Sequence, residues 1–441
     1  MIDGVDTRPV RRWRWPLWVA LGVVGVLLFC GVPAGLTAVL IARMPDPASL
    51  PDTAASATPA ASPEPGDPVE VTAAWLGERI DDLLEQQAQA LLRGDEQGFL
   101  AVADPASPAA ADLKRQFRVL RSMKVAAWHP SLNGRPTRMN SNTSEWRVLV
   151  TIGHCFVLTD CRTGPVTIGT RWDDVRPQPR LTAIEPSMSG TDGPRPWEVT
   201  DLAVGIGART LVAVPQTVRD KLPDLLKAAE QAAVVADRYA VDGTRPDVYR
   251  IFYAPTAEWK LWYGGGRPAW TGGYAVGIGG DRFDVVLNGD GLHRTAVDDL
   301  LRHEMTHAAS LPGRGYASSE NWWLVEGIAE YAGAGGRPVA QYEGLGDVTR
   351  LLAAGGGWNG KLESVEPADS AEDWRVSGSY GVGYLAVRYL VDRFGEEDLL
   401  AFYKSVVHEG RSVGDAAQQA FGVDWSALHN ECVGYARSVA R

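Results

Sequence analysis

An uninterrupted apolar run near the start of the chain precedes segments in which hydrophobic and polar positions alternate with regular periods. Residues 16–42 carry no charged side chain, and a bilayer-spanning helix needs about 20 apolar residues. Because a signal-peptide core has only roughly 7 to 15 apolar residues, the run predicts a retained transmembrane helix, with a cleaved signal peptide as the alternative. Four arginines lie within residues 1–15 and no matching cluster follows the run, so the positive-inside rule predicts a cytoplasmic tail.

The next part of the chain changes from a polar linker to regular periodicity. Residues 43–69 are rich in Pro, Ala, Ser and Thr, a composition that cannot bury a core. Apolar residues at helical spacing then predict a helix from Val71 to Leu92. Strand-like runs follow at 147–152, 165–170, 180–184, 197–204 and 209–214. Residues 70–207 are therefore expected to form a small domain with a helix on an antiparallel sheet, which resembles the nuclear-transport-factor-like domains.

A second predicted domain covers residues 208–441. Periodicity predicts a helix at 218–239, strands at 248–253 and 283–288, and a mainly helical remainder. Residues 264–280 are rich in glycine and aromatic residues but lack phosphate-loop spacing. They are interpreted as a mobile loop near a site, or alternatively as an ordinary surface loop. The fold class predicted for the whole chain is α+β.

Composition narrows the possible partners and the compartment. The formal net charge of -11 argues against the clustered Lys and Arg that nucleic-acid binding requires, so no nucleic-acid partner is expected.

The short stretch between Cys155 and Cys161 would face an oxidising compartment if exported. A local disulfide between them is the favoured interpretation, and two free thiols are the alternative. Cys432 lies in an amphipathic segment and is expected to be a buried free thiol.

The sequence HEMTH carries the first candidate chemistry. His303 and His307 lie about 40° apart on a helix predicted for residues 295–309, so both imidazoles project from one face and can bind a single zinc ion. Glu304 lies beside them, where a carboxylate can accept a proton from a water molecule. The five-residue pattern also occurs by chance in helices, so further ligands are needed to support a metal site.

A second helical segment, WWLVEGIAEY, supplies a further candidate ligand. Glu326 lies within its apolar run, and a buried carboxylate without a partner is costly. Zinc would satisfy it, and three protein ligands with an open position are typical of catalytic zinc sites. Glu330 follows one turn later and can accept the second ring proton of a ligand histidine; a solvated helix acid is the alternative. One zinc ion per chain is expected.

The two motif segments and their separation resemble the gluzincin metallopeptidases. The resemblance implies that His303, His307 and Glu326 bind zinc and that Glu304 is the general base. It also implies an edge strand for substrate pairing, for which residues 283–288 are the candidate, and an oxyanion-stabilising tyrosine. Tyr380 is the choice over Tyr384, and the alternative is that both are packing aromatics. The exopeptidase motif GAMEN is absent, which favours endopeptidase action.

These patterns together predict a membrane-anchored zinc peptidase with its catalytic domain outside the cytoplasm. Its substrates would be proteins or peptides, and its membrane contact would be the N-terminal helix. The alternative function is a peptidase-like binding or regulatory protein that has lost turnover. The presence of Glu304 favours the enzyme, whereas the oligomeric state and the role of residues 70–207 are open at this level.

Overall fold

The computed structural model begins its described part within the predicted linker. It describes residues 62–441 apart from residues 65, 141–142, 175–176, 188–192, 242–244, 280–281, 291–293, 314–317 and 354–356. The predicted tail (1–15), the predicted membrane helix (16–42) and most of the linker lie outside these residues. Among the helices that can be described, none is both long and apolar enough to cross a bilayer.

Three helices open the described chain. They are α1 (Val69–Arg93), α2 (Glu96–Leu100) and α3 (Pro108–Ser122). The apolar residues that predicted α1 are buried: Leu76, Ile80, Leu83, Leu84 and Leu91. Gly94 ends α1 with a left-handed conformation, φ 78°, which glycine adopts without steric cost. The sequence pattern identified α1 but not α3.

A four-stranded antiparallel sheet follows, with strands in the order β1-β2-β3-β4. Its strands are β1 (Val125–Arg138), β2 (Glu145–Phe156), β3 (Gly164–Asp173) and β4 (Arg180–Glu185). Helix α1 packs on this sheet through β1, so the predicted arrangement of a helix on an antiparallel sheet is confirmed. Cys155, at the end of β2, forms a disulfide with Cys161, as predicted.

The strand predicted at residues 197–204 is wrong. A short helix, α4 (Pro196–Val199), occupies its first part, and the strand β5 (Leu202–Ile206) begins later. Proline at the first helical position has a φ angle already suited to a helix. Glu198 fixes this turn because its carboxylate accepts hydrogen bonds from the backbone N–H of Arg195 at 2.8 Å and of Ser187 at 2.7 Å.

A second sheet has five strands in the order β5-β6-β7-β9-β8. The further strands are β6 (Thr210–Pro215), β7 (Tyr249–Ala254), β8 (Gly273–Gly277) and β9 (Phe283–Asn288). The inner strands β6, β7 and β9 run parallel, whereas β5 and β8 pair antiparallel at the two edges. Helices α5 (Leu222–Ala236) and α6 (Thr256–Leu261) lie within the connections. Strands β6 and β7 are buried along their whole length, as expected for strands in the centre of a sheet.

Two expectations for this sheet need correction. Residues 283–288 do form a strand, but β9 pairs with β7 on one side and β8 on the other, so it is not an edge strand. The edge strand next to β9 is β8, which lies inside the glycine-rich segment that was predicted to be a loop. Gly273 and Gly277 are the ends of β8, and antiparallel pairing with β9 orders the segment.

The remainder of the described chain is helical, as predicted. Its helices are α7 (Arg294–Ser310), α8 (Trp322–Gly333), α9 (Leu345–Leu352), α10 (Asp373–Phe394), α11 (Glu396–Tyr403), α12 (Val413–Phe421) and α13 (Trp425–Val439). Helix α8 lies between α7 and α10. Gly327 and Gly383 let α8 and α10 approach closely, since a Cβ atom at Gly327 would lie 2.5 Å from the carbonyl oxygen of Gly383. Helices and mixed or antiparallel sheets together confirm the α+β class.

Candidate metal centre

Helix α7 places two histidines on one buried face. Leu301 and Met305 pack against the five-stranded sheet, so the opposite face of α7, with His303 and His307, points toward α8. The two Nε2 atoms lie 3.1 Å apart and the ring centroids lie 4.8 Å apart. One turn of helix between the two residues produces this separation.

Helix α8 brings Glu326 to the same point. Its Oε2 lies 3.2 Å from Nε2 of His303 and 3.2 Å from Nε2 of His307. Burial alone would raise the pKa of Glu326, but the charge of His307 and hydrogen bonds from both histidines hold that pKa well below its ordinary value. Glu326 is therefore ionised at neutral pH and can act as a metal ligand.

The three donor atoms fit a tetrahedral zinc ion. Ligands that bind one zinc ion at about 2.0–2.2 Å in a tetrahedron lie roughly 3.3–3.6 Å from one another, and the three atoms here, 3.1–3.2 Å apart, come within a few tenths of an ångström of that range. Two imidazoles and one carboxylate are a typical catalytic zinc set. Among the described residues, the buried Nδ1 atom of His307 has no hydrogen-bond partner, whereas its Nε2 faces His303 and Glu326.

Glu304 lies between the two histidines in sequence and faces an open cleft. Its side chain lies against Gly273 of β8, where a Cβ atom would be 3.0 Å from Oε1 of Glu304. Burial raises the pKa of Glu304 above its ordinary value, and the nearby histidines partly oppose the shift. A raised pKa suits a carboxylate that must both accept and release a proton near neutral pH.

Glu330 contacts the Nδ1 side of the His303 ring. Its Oε1 lies 3.2 Å from Nδ1 of His303, and its Oε2 accepts a hydrogen bond from the hydroxyl of Tyr342 at 2.9 Å. A proton held on Nδ1 by Glu330 would leave Nε2 as the ring nitrogen that can bind a metal ion. Glu330 thus contacts His303 and is only partly exposed to solvent.

The two tyrosines considered in the sequence analysis occupy different environments. The ring centroid of Tyr380 lies 6.0 Å from that of His303 and 4.9 Å from that of Trp322, and Tyr380 lines the cleft. Tyr384 is buried and lies outside the cleft lining, with its hydroxyl 3.4 Å from an Nη1 donor of Arg388. Of these two tyrosines, Tyr380 borders the cleft and Tyr384 does not.

The cleft has a volume of about 600 Å³. Gly273 of β8 and the four residues before it line one side of the cleft, and residues of α7, α8, α10 and the segment between α8 and α9 line the rest. Trp270 connects the walls, because its Nε1 donates a hydrogen bond to the carbonyl of Asp369 at 3.1 Å. The sequence analysis expected the segment that contains Trp270 to lie near a site, but it missed Tyr342 and Arg337 as cleft residues, since neither has a fixed spacing from the HEMTH motif.

Comparisons with known proteins give only distant similarities. No protein-family model and no curated protein matches the chain. Among solved structures, yeast LTA4 hydrolase is 11% identical, with 69% of this chain and 43% of that chain covered and a TM-score of 0.36. An M1 zinc metallopeptidase from Deinococcus radiodurans is 15% identical, with 72% and 62% covered and a TM-score of 0.34. The chain thus spans less than two thirds of either protein, and the assignment of the site depends on its own residues.

Proposed function

We propose that this protein is a zinc-dependent peptidase. The observation that carries the proposal is the meeting of His303, His307 and Glu326 at mutual distances of 3.1–3.2 Å beside an open cleft. Zinc bound there would acidify a water molecule and polarise a substrate carbonyl. A closed four-ligand structural site would not leave access from a cleft.

The residues of the chain account for the remaining chemistry of peptide hydrolysis. Glu304 accepts a proton from the attacking water and passes it to the leaving amine, which its raised pKa favours. The hydroxyl of Tyr380 is the candidate donor to the oxyanion that forms at the carbonyl. Glu330 holds His303 in the tautomer that presents Nε2.

The position of β8 at the edge of its sheet supports the proposal that the substrate is a peptide. Its outer edge has no neighbouring strand in the described sheet, so an extended peptide can pair with its backbone. Gly273 starts this strand and lies against Glu304, which brings a paired peptide next to the proposed general base. An internal bond of a protein or peptide is the proposed target.

The proposed location is outside the cytoplasmic membrane. The uncharged run at 16–42 and the arginines before it support an anchor with the N-terminus inside. The disulfide between Cys155 and Cys161 is consistent with an oxidising compartment. Residues 43–69 would connect the anchor to the peptidase.

Two substitutions in the full-length chain separate metal binding from turnover. Glu304→Gln should keep one zinc per chain and lower the hydrolysis of unfolded casein at least 100-fold, because it removes the base and not a ligand. The Glu326→Ala variant should bind little or no zinc, because it removes a proposed ligand. Glu320→Gln is the matched control, since Glu320 is exposed and lies just before α8. Zinc content is measured by elemental analysis, and cleavage by release of peptides.

Each result has a distinct meaning. A parent protein that takes up no zinc refutes the metal centre. A parent that binds zinc but cleaves neither casein nor a mixed peptide library is a binding protein rather than a peptidase. Full activity in Glu304→Gln refutes the role of Glu304.

A further inference from the structure

Tyr342 lies at the outer end of a hydrogen-bonded chain that leads to the metal centre. Its hydroxyl donates to Oε2 of Glu330 at 2.9 Å, and Oε1 of the same carboxylate lies 3.2 Å from Nδ1 of His303. We propose that Tyr342 is a positioning residue that orients Glu330 and so fixes His303 in its zinc-binding tautomer. The inference rests on the proposed function, because it assumes that His303 binds zinc.

The direction of the hydrogen bonds follows from the groups involved. An ionised carboxylate only accepts hydrogen bonds, and Glu330 needs donors because its side chain is 25% exposed and faces buried His303. Burial and the charge of Glu330 raise the pKa of Tyr342 well above its ordinary value. Tyr342 therefore keeps its proton and remains a donor across the working pH range.

Packing fixes the ring of Tyr342 as well as its hydroxyl. The ring stacks on that of Tyr384, with centroids 4.4 Å apart and an interplanar angle of 19°. Gly381 of α10 makes room for it, since a Cβ atom there would lie 3.0 Å from Cε1 of Tyr342. A tyrosine has only two side-chain torsions, so the stacking on Tyr384 and the close approach to Gly381 restrict where the hydroxyl can lie.

Fixing Glu330 matters because a neutral imidazole carries only one ring proton. If that proton lies on Nδ1, Nε2 presents a lone pair to the metal; if it lies on Nε2, the ligand position is blocked. Without the hydroxyl of Tyr342, the Glu330 carboxylate can rotate toward the cleft that it lines. The population of the correct tautomer then falls, and zinc affinity falls with it.

The expected loss of zinc affinity can be estimated from other residues that hydrogen-bond to metal ligands, whose removal lowers metal affinity about 10–100-fold. Glu330→Gln removes the charge in contact with His303, so it should lower zinc affinity by an amount in that range. Tyr342→Phe removes only the hydroxyl and acts through Glu330, so the expected loss is about tenfold. The stacked ring remains, and the fold should be unchanged.

The test measures zinc affinity of the full-length chain by competition with a fluorescent chelator, with zinc alone as the probe. Tyr384→Phe is the matched control: it also removes one hydroxyl from the stacked pair, but that hydroxyl faces Arg388. Tyr342→Phe should weaken zinc binding about tenfold, and Tyr384→Phe should leave it within twofold (about 0.4 kcal/mol). Thermal unfolding of both zinc-free variants should coincide.

A double-mutant cycle tests whether Tyr342 acts through Glu330. In a Glu330→Gln background, Tyr342→Phe should cost less than about twofold, because the carboxylate that it orients is gone. An equal cost in both backgrounds, or unchanged affinity in Tyr342→Phe, overturns the proposal while leaving the metal centre intact. A parent chain that binds no zinc overturns the proposed function and this inference with it.

Discussion

The contact between α8 and α10 offers a sharp test of how the fold positions the metal centre. Gly327 follows the proposed ligand Glu326 directly in sequence. A Cβ atom at Gly327 would lie 2.5 Å from the carbonyl oxygen and 2.8 Å from the carbonyl carbon of Gly383. Both are backbone atoms in a helix, so neither can rotate away. Gly327→Ala must therefore push α8 and α10 apart.

The size of the displacement can be worked from these distances. Ordinary van der Waals contact for a Cβ atom begins at 3.4 Å, so the two helices must separate by about 0.9 Å along this contact. Overpacking of this kind costs about 1–3 kcal/mol, and alanine in place of helical glycine returns up to about 1 kcal/mol. Because the clash is with backbone atoms, the cost should lie at the upper end of that range, and we expect a net loss of about 2 kcal/mol in the free energy of unfolding.

The same displacement should weaken zinc binding. Metal–ligand distances tolerate deviations of only about 0.2 Å, and the movement acts on the residue next to Glu326. Zinc affinity should therefore fall at least tenfold in Gly327→Ala. Unfolding midpoints in urea and chelator competition on the full-length chain measure the two effects separately.

Gly434→Ala is the matched control. Gly434 lies on the exposed side of α13, and nothing comes within 4 Å of a Cβ atom there. This substitution should stabilise the protein by about 0.5–1 kcal/mol through helix propensity alone and leave zinc binding unchanged. Parent-like stability and zinc affinity in Gly327→Ala would refute the close helix contact and its role in positioning Glu326.

Two further predictions concern pH and topology. Burial, followed by the charges of Arg250 and Arg282, lowers the pKa of His154 to about 3. Between about pH 6.5 and pH 3 the unfolded chain binds this proton and the native chain does not, so stability falls as pH falls, by up to about 1.4 kcal/mol per pH unit. Urea unfolding between pH 7 and pH 5 should show this slope in the parent and a flatter one in His154→Gln; equal slopes would contradict the assignment. Protease added to intact cells should release a fragment that begins within residues 43–69, and full protection until the membrane is broken would reverse the proposed orientation.

Local periodicity determined much of this protein from sequence. The histidines of HEMTH meet because residues four apart on a helix share a face, and Glu326 was identified because a carboxylate inside an apolar helix needs a partner. The long helix α1 and strands β2, β3, β4, β6 and β7 were recognised in the same way. The disulfide between Cys155 and Cys161 is also a local feature.

Patterns interrupted by proline and glycine were missed. Strand β1 contains Pro130, Gly134 and Pro136, which are tolerated because β1 lies at the edge of its sheet and need not donate along both sides. Helix α3 begins at Pro108, where a missing N–H costs nothing. From sequence alone, proline and glycine at these positions predict an interruption of a strand or helix. Only the neighbouring elements show that the strand and the helix tolerate them.

The environment of the proposed metal ligands was decided only by the tertiary structure. Whether a strand lies at an edge or in the centre depends on the strand that pairs beyond it, which is why β8 and not β9 borders the cleft. Tyr342 reaches Glu330 through the packing of α10 against the segment before α9. The sequence by itself determined the chemistry of the ligand set, because helical spacing is local. The orientation of Glu330 and the open edge beside Glu304 depend on contacts between distant segments, and no local period encodes those.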